Sequence, residues 1–172
     1  MKLSALKGRA PQLPLNLELE NGQSLVIEQW LRVLPEQRYV GKAQWQGRSV
    51  LAKLFVGHKG VRHQQKEVIG AQLLLEQGIA SASILDAQQH TDGSAYVLFE
   101  FITEAQSLAD MWAKCCMQVP LSSTQNSVLG QALQVIASMH QRGLWQSDLH
   151  LDNLLLKEGL RYVIDAGGGE CE

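Results

Sequence analysis

Asp148, Asn153 and Asp165 put a carboxylate, an amide and a second carboxylate in that order, five and then twelve residues apart. Moving a phosphoryl group to a hydroxyl needs positioning and charge neutralisation more than covalent help. Asp148 lies in a loop after a long helical pattern, where it can accept or orient the proton of an attacking hydroxyl. Asn153 lies at the start of a short strand pattern and can offer its amide oxygen to a metal. Asp165 ends the next strand pattern and can share that metal with phosphates. Mg²⁺ takes hard oxygen ligands and keeps several waters, so one amide, one carboxylate and phosphates suffice.

A lysine on the third strand of a preceding sheet completes the donor side. Val50-Leu51-Ala52-Lys53 supplies it, and a glutamate on the following helix should hold its ammonium. Glu67, early in that helix, fits this role better than Glu76, which sits beside Gly78. Each residue also has a plainer use: an exposed strand lysine, a helix-surface Lys66-Glu67 pair, an aspartate capping a strand. Their joint order, each on the expected element, favours the chemical use.

The elements that must position them follow from periodicity. Leu15 to Leu19 alternates, Asn21-Gly22 marks a turn and Leu25 to Ile27 resumes an apolar run; Arg38 to Gln46 and Ser49 to Val56 are further strands. An antiparallel meander accommodates all of these. Residues 1–14, with Pro11 and Pro14, form an irregular lead-in. The period then changes: a helix spans about 61–77, with Val68, Ile69, Leu73, Leu74 and Leu75 as its apolar positions and Gly78 at its end. Ile84 to Gln89 and Ala95 to Ile102 are strands around Thr91-Asp92-Gly93-Ser94. Helices cover Ser107 to about Met117 and Ser127 to Gln141, separated by Pro120 to Gln125. In the second, Val128, Leu129, Ala132, Leu133, Val135, Ile136 and Met139 share a face. Leu154 to Lys157 and Arg161 to Ile164 form a final hairpin about Glu158-Gly159. This is an α+β order: a sheet domain over 15–102 carrying one helix, then a mainly helical domain over 103–172.

Composition narrows the class. With 172 residues, 45% hydrophobic, 19% charged and a formal charge of −2, the chain has enough apolar residues for a core and no general pull towards nucleic acid. Trp30, Trp45, Trp112 and Trp145 are too dispersed for base stacking. No apolar run reaches the ~18 residues of a spanning helix, and Met1 to Leu15 lacks a secretory h-region. Cys115, Cys116 and Cys171 make no disulfide framework, so a reduced cytoplasmic setting is expected.

The stretch from about Trp30 to Gly167 resembles the protein-kinase-like superfamily, and within it the lipopolysaccharide kinase (Kdo/heptose kinase) family. The resemblance is carried by Arg38 to Arg48, Val50 to Phe55, Lys66-Glu67 with the leucine-rich helix ending at Gly78-Ile79, Asp148 to Asn153, and Asp165-Ala166-Gly167. It implies a kinase-like fold with an antiparallel N-lobe and a partial helical C-lobe. It further implies ATP as donor, Mg²⁺ as cofactor, and a sugar hydroxyl of the lipopolysaccharide core, or a protein, as acceptor. It assigns Lys53 to the phosphates, Glu67 to Lys53, Asp148 to the base role, and Asn153 and Asp165 to the metal. Glu100, Phe101 and Ile102 become the hinge that meets adenine through its backbone. A cytoplasmic protein with peripheral contact at the inner face of the bacterial inner membrane would suit that acceptor.

Several positions depart from the pattern. Gln146-Ser147 precede Asp148 where protein kinases carry His-Arg, His150 stands where many carry Lys, and Ala166 replaces the Phe of Asp-Phe-Gly. The phosphate-covering turn Leu34 to Arg38 has no glycine and brings Glu36 towards phosphates, which is unfavourable. Only five residues follow Gly167, which points to a truncated C-lobe and leaves a non-catalytic, pseudokinase-like interaction module as the alternative. A metal-dependent hydrolase built on His140, Asp148, His150 and Asp152 lacks a recognisable ligand spacing. His58 and His63 suggest no third ligand and are expected to be solvated. Gly167 to Gly169 is followed by no helix and is not a dinucleotide loop.

Overall fold

Alternation in the first hundred residues resolves into one curled antiparallel sheet in a computed structural model that describes all residues except 10, 116–119, 147–148, 166–168 and 172. Its strands are β1 (Leu15–Glu18), β2 (Ser24–Leu34), β3 (Arg38–Trp45), β4 (Arg48–Phe55), β5 (Ile84–Gln89) and β6 (Ala95–Glu100), in the order β1-β2-β3-β4-β6-β5. Helix α1 (Gly60–Glu76) connects β4 to β5. The chain divides into two compact units, Met1–Val68 with Ser83–Phe101 and Ile69–Ala82 with Ile102–Glu172.

Turn chemistry fixes the sheet register. Gln46 and Gly47 take φ of 49° and 74°, so two residues in the left-handed region close the β3–β4 hairpin, with Trp45 opposite Arg48. Period-two alternation then sends Val50, Ala52 and Leu54 to one face, where they join Tyr39, Ala43, Tyr96 and Leu98 in the main core. Lys53 falls on the other face.

The lead-in is not a loose tail. Leu3 and Leu6 are fully buried in that core against Leu17, Leu19, Leu25 and Ile27, and a short 3₁₀ turn covers Leu3–Ala5. The segment is anchored by the Trp30 indole donating to the Pro11 carbonyl at 2.9 Å and by the Tyr39 hydroxyl donating to the Gly8 carbonyl at 3.1 Å. Two prolines and no alternation hid two core leucines, because a segment that caps a sheet face needs no repeating period.

Helix α1 ends as its sequence predicts. Gly78 has φ 66°, its amide bonds the Leu75 carbonyl and the Ile79 amide bonds the Leu74 carbonyl, the paired bonds of a Schellman stop. Ile79 and Leu74 are both buried, the apolar contact that accompanies the motif. Ile69 and Leu75, however, are 62% and 70% exposed, so the apolar face assigned to this helix is narrower than its leucine content suggested.

The second unit holds α2 (Leu108–Ala113), α3 (Ser123–His140) and short strands β7 (Gln106–Ser107), β8 (Leu144–Gln146), β9 (Leu154–Lys157), β10 (Leu160–Val163) and β11 (Gly169–Cys171). Helix α3 begins four residues before the expected Ser127. Ser122 caps it by accepting from the Gln125 amide while the Gln125 side chain accepts from the Ser122 amide. That reciprocal capping box lies within the stretch expected to be a linker. Leu133, placed on the helix's apolar face by its spacing, is 64% exposed. Helix α2 is shorter than predicted, although residues 116–119 lie outside the described set. The loop expected after α3 contains β8, which pairs with β11. Among the described residues no helix is long and apolar enough to cross a membrane.

Candidate functional site

In the first unit, strand alternation and helix placement bring two opposite charges together inside the protein. Lys53 stands in β4 opposite Val97, and Glu67 stands in the second turn of α1. The Lys53 ammonium donates to a Glu67 carboxylate oxygen, and their side chains are only 5% and 2% exposed. Burying a lysine beside a glutamate offsets part of the desolvation cost that either would carry alone. The same ammonium lies 5.3 Å from the Phe99 ring centroid, within cation–π reach. The surface alternatives for Lys53 and Glu67 do not fit this burial.

The segment expected as a hinge begins at the end of β6, three residues after Val97, the cross-strand partner of Lys53. Glu100 donates its amide to the Ser83 carbonyl at 2.9 Å, and Phe101 lies under the Lys42 ammonium at 5.3 Å from the ring centroid. Ile102 begins the second of the two stretches that make up the second unit.

The β2–β3 turn, expected to cover phosphates, is braced. Glu36 takes φ 61°, and its amide bonds the Tyr39 hydroxyl at 3.3 Å. The Gln37 amide bonds the Leu34 carbonyl, and the Gln37 carbonyl accepts from the Val56 amide at 2.9 Å. Backbone groups that a glycine-rich turn would aim at phosphate are here spent on the protein itself. Tyr39, fully buried, is the residue whose role the sequence did not reveal.

In the second unit a hairpin sets the spacing of the metal candidates. Glu158 and Gly159 take φ of 49° and 80°, a two-residue turn, and Leu154 pairs with Val163. One step further, the Ile164 amide donates to the Asn153 carbonyl at 2.9 Å. Twelve residues of separation are thus folded back, leaving Asn153 and Asp165 at the open end of one hairpin. Asn153 is 5% exposed and closes a 3₁₀ turn, Leu151–Asn153, rather than starting the strand. Asp165 has φ 117°, a conformation unfavourable for a side-chain-bearing residue by ~1–3 kcal/mol. The Gln146 side-chain amide donates to its carbonyl.

His150 contributes in a way the sequence did not expose. Its Nε2 lies 3.4 Å from the Asn153 amide nitrogen and its Nδ1 lies 3.3 Å from an Asp152 carboxylate oxygen. The ring thus lies between Asn153 and Asp152, and which nitrogen donates is set by its tautomer. The signal available in the sequence was the closeness of His150 and Asp152 to Asn153. Among the described residues no three His, Cys, Asp or Glu side chains gather as a metal cluster. Asp148 lies outside the described residues.

The donor set of Asn153 and Asp165, one amide and one carboxylate, fits a hard divalent cation that takes its remaining ligands from phosphate and water. Among the described residues, the Gln146 side-chain oxygen is buried without a hydrogen-bond partner. A metal-bound water is one donor that would suit such an atom.

The architecture defines a class: an antiparallel N-lobe sheet with one main helix, followed by a partial helical C-lobe, is a protein-kinase-like fold. Among solved structures, vaccinia related kinase 3 matches over 94% of this chain and 53% of its own, with a TM-score of 0.57 and 11% identity. The chain therefore spans about half the length of that protein. In all, 1394 chains of solved structures match the fold, so the fold by itself does not select an acceptor. No protein-family model and no curated protein matches the sequence.

Proposed function

We propose that the chain is a kinase-like phosphotransferase that binds ATP and passes its terminal phosphoryl group to a hydroxyl. The observation that carries this is the buried Lys53–Glu67 pair on a kinase-like sheet and helix. Such a pair fixes an ammonium for nucleotide phosphates at the end of a short, immobilised lever. Glu100, Phe101 and Ile102 supply backbone groups for adenine. Asn153 and Asp165 hold Mg²⁺, which supplies neutralisation of phosphate charge. Asp148 takes the proton of the acceptor hydroxyl as its oxygen bonds phosphorus and the bond to the ADP oxygen breaks.

For the acceptor we favour a sugar of the lipopolysaccharide core, on the resemblance of Arg38 to Phe55 and of Asp148 to Asn153 to that kinase family. A cytoplasmic enzyme working at the inner face of the inner membrane would meet that substrate. Calorimetry with ATP and Mg²⁺ tests the donor half: binding by the parent chain and its loss in Lys53→Ala support it, and no heat with the parent chain sinks it. Transfer of labelled phosphate to core oligosaccharide but not to a protein mixture tests the acceptor. A second reading, a non-catalytic interaction module, is favoured by the exposure of Ile69, Leu75, Leu133 and Leu160 at 58–70% on the second unit.

A further inference from the structure

A cavity of about 350 Å³ opens in the first unit between the β2–β3 turn and the segment linking β4 to α1. Glu36 and Gln37 line it from the turn, Gly57, His58 and Lys59 from the link, and His63 from the first turn of α1. Lys53 and Glu67 do not line it. Val56, which does, belongs to the core on the sheet face opposite Lys53. Its walls are fixed: the Gln37 carbonyl is tied to the Val56 amide, and a Cβ on Gly57 would come within 2.9 Å of the Glu36 carbonyl.

The electrostatics are strongly one-sided for a chain of net charge −2. Arg38 on β3, Lys59 in the link, and Arg62 and Lys66 on α1 all act on His63, and Glu36 is the acid among the lining residues. Burial first, and then these cations, hold the His63 imidazole below its ordinary pKa. A small cavity walled by two imidazoles and an ammonium, in a field of further cations, is matched by a compact dianion with several acceptor oxygens. The volume leaves room for a body of sugar size behind that head.

We propose that this cavity binds a phosphate monoester, with Lys59, His58 and His63 contacting the phosphate, as a ligand separate from any nucleotide held at Lys53. Binding brings negative charge to His63 and so favours its protonated form. Amide and imidazole NMR shifts on titration with inorganic phosphate and glucose 6-phosphate test this. Saturable shifts confined to Glu36, Gln37 and Gly57–His63 are expected, with Lys53 and Val97 unmoved. Lys59→Ala and His63→Gln should each weaken binding about fivefold, the scale of one exposed charge contact. Lys59 is exposed, so its replacement leaves folding intact. Flotation with phosphatidylcholine vesicles, with and without phosphatidic acid, separates the two sources of a monoester. Phosphatidate-dependent flotation lost in Lys59→Ala assigns it to a lipid headgroup. Tighter binding of glucose 6-phosphate than of phosphate, without flotation, assigns it to a soluble ester. No shift at Gly57–His63, shifts spread over every surface lysine, or shifts unchanged in both variants would overturn the proposal.

Discussion

The ammonium of Lys53 and the carboxylate of Glu67 meet in the interior of the first unit, from a strand and a helix fourteen residues apart. Such a pair stabilises little relative to an apolar replacement, but losing one partner strands the other charge in a dry site. Lys53→Met and Glu67→Leu should each destabilise by ~3–5 kcal/mol, and the double variant by clearly less than their sum. A denaturant double-mutant cycle measures this. Additive losses would show that the two charges do not depend on each other.

At the hairpin's open end, Asn153→Ala should lower Mg²⁺-dependent nucleotide affinity by ~10-fold or more. His150→Ala should cost less, because it only orients Asn153. Titrations at several Mg²⁺ concentrations separate the effects: both variants should need more metal, while metal-free nucleotide binding stays as in the parent.

Two glycines with the same backbone conformation should respond differently to alanine. Gly47 and Gly57 have φ of 74° and 76°, but only Gly57 has a neighbour, the Glu36 carbonyl, where a Cβ would go. Gly47→Ala should cost ~1 kcal/mol from conformation alone. Gly57→Ala should cost more and loosen the β2–β3 turn, seen as faster hydrogen exchange at Gln37 and Val56.

Leu3→Ala should destabilise by ~2–5 kcal/mol, as for a buried leucine in any core. Thermal unfolding of that variant distinguishes an integral lead-in from a dispensable one; an unchanged midpoint would contradict its burial.

Acid should weaken the first unit partly through Asp92. Burial pushes its carboxyl up, but bonds from the Ser94 hydroxyl, Ser4 and the Ser94 amide outweigh that and bring it from 3.8 to about 2. A depressed folded pKa means the stabilisation is complete above 3.8 and is lost as pH falls towards 2. Asp92→Asn should therefore flatten the stability–pH curve in that window and cost ~1 kcal/mol at neutral pH.

Much of the architecture was legible because it is local. The β9–β10 hairpin follows from Glu158-Gly159, which supplies positive φ where strand alternation needs a reversal; the β3–β4 turn, expected at Gly47-Arg48, falls one residue earlier at Gln46-Gly47. The end of α1 follows from Gly78. What failed lacked a period or needed a partner. Leu3 and Leu6 sit in a lead-in without alternation, β8 exists only through β11, and the exposure of Ile69, Leu75 and Leu133 depends on which neighbours the helices meet. Ser122 and Gln125 did carry a capping signal, masked by the adjacent Pro120.

By itself the sequence determined the order of chemical groups: Lys53, Glu67, Asp148, Asn153 and Asp165, each assigned to a strand, helix, loop or hairpin end. Order and period are properties of the chain, so a reader of residues can recover them. Tertiary structure alone decided that Lys53 and Glu67 are buried against each other, that His150 leans on Asn153, and that the covering turn is braced by Tyr39. It also gathered Lys59, His58 and His63 about a cavity. Lys53 and Glu67 lie on different elements, so packing sets their distance, whereas His150 and Asn153, like His58 and His63, are close in the chain and are brought together by the local path of the backbone.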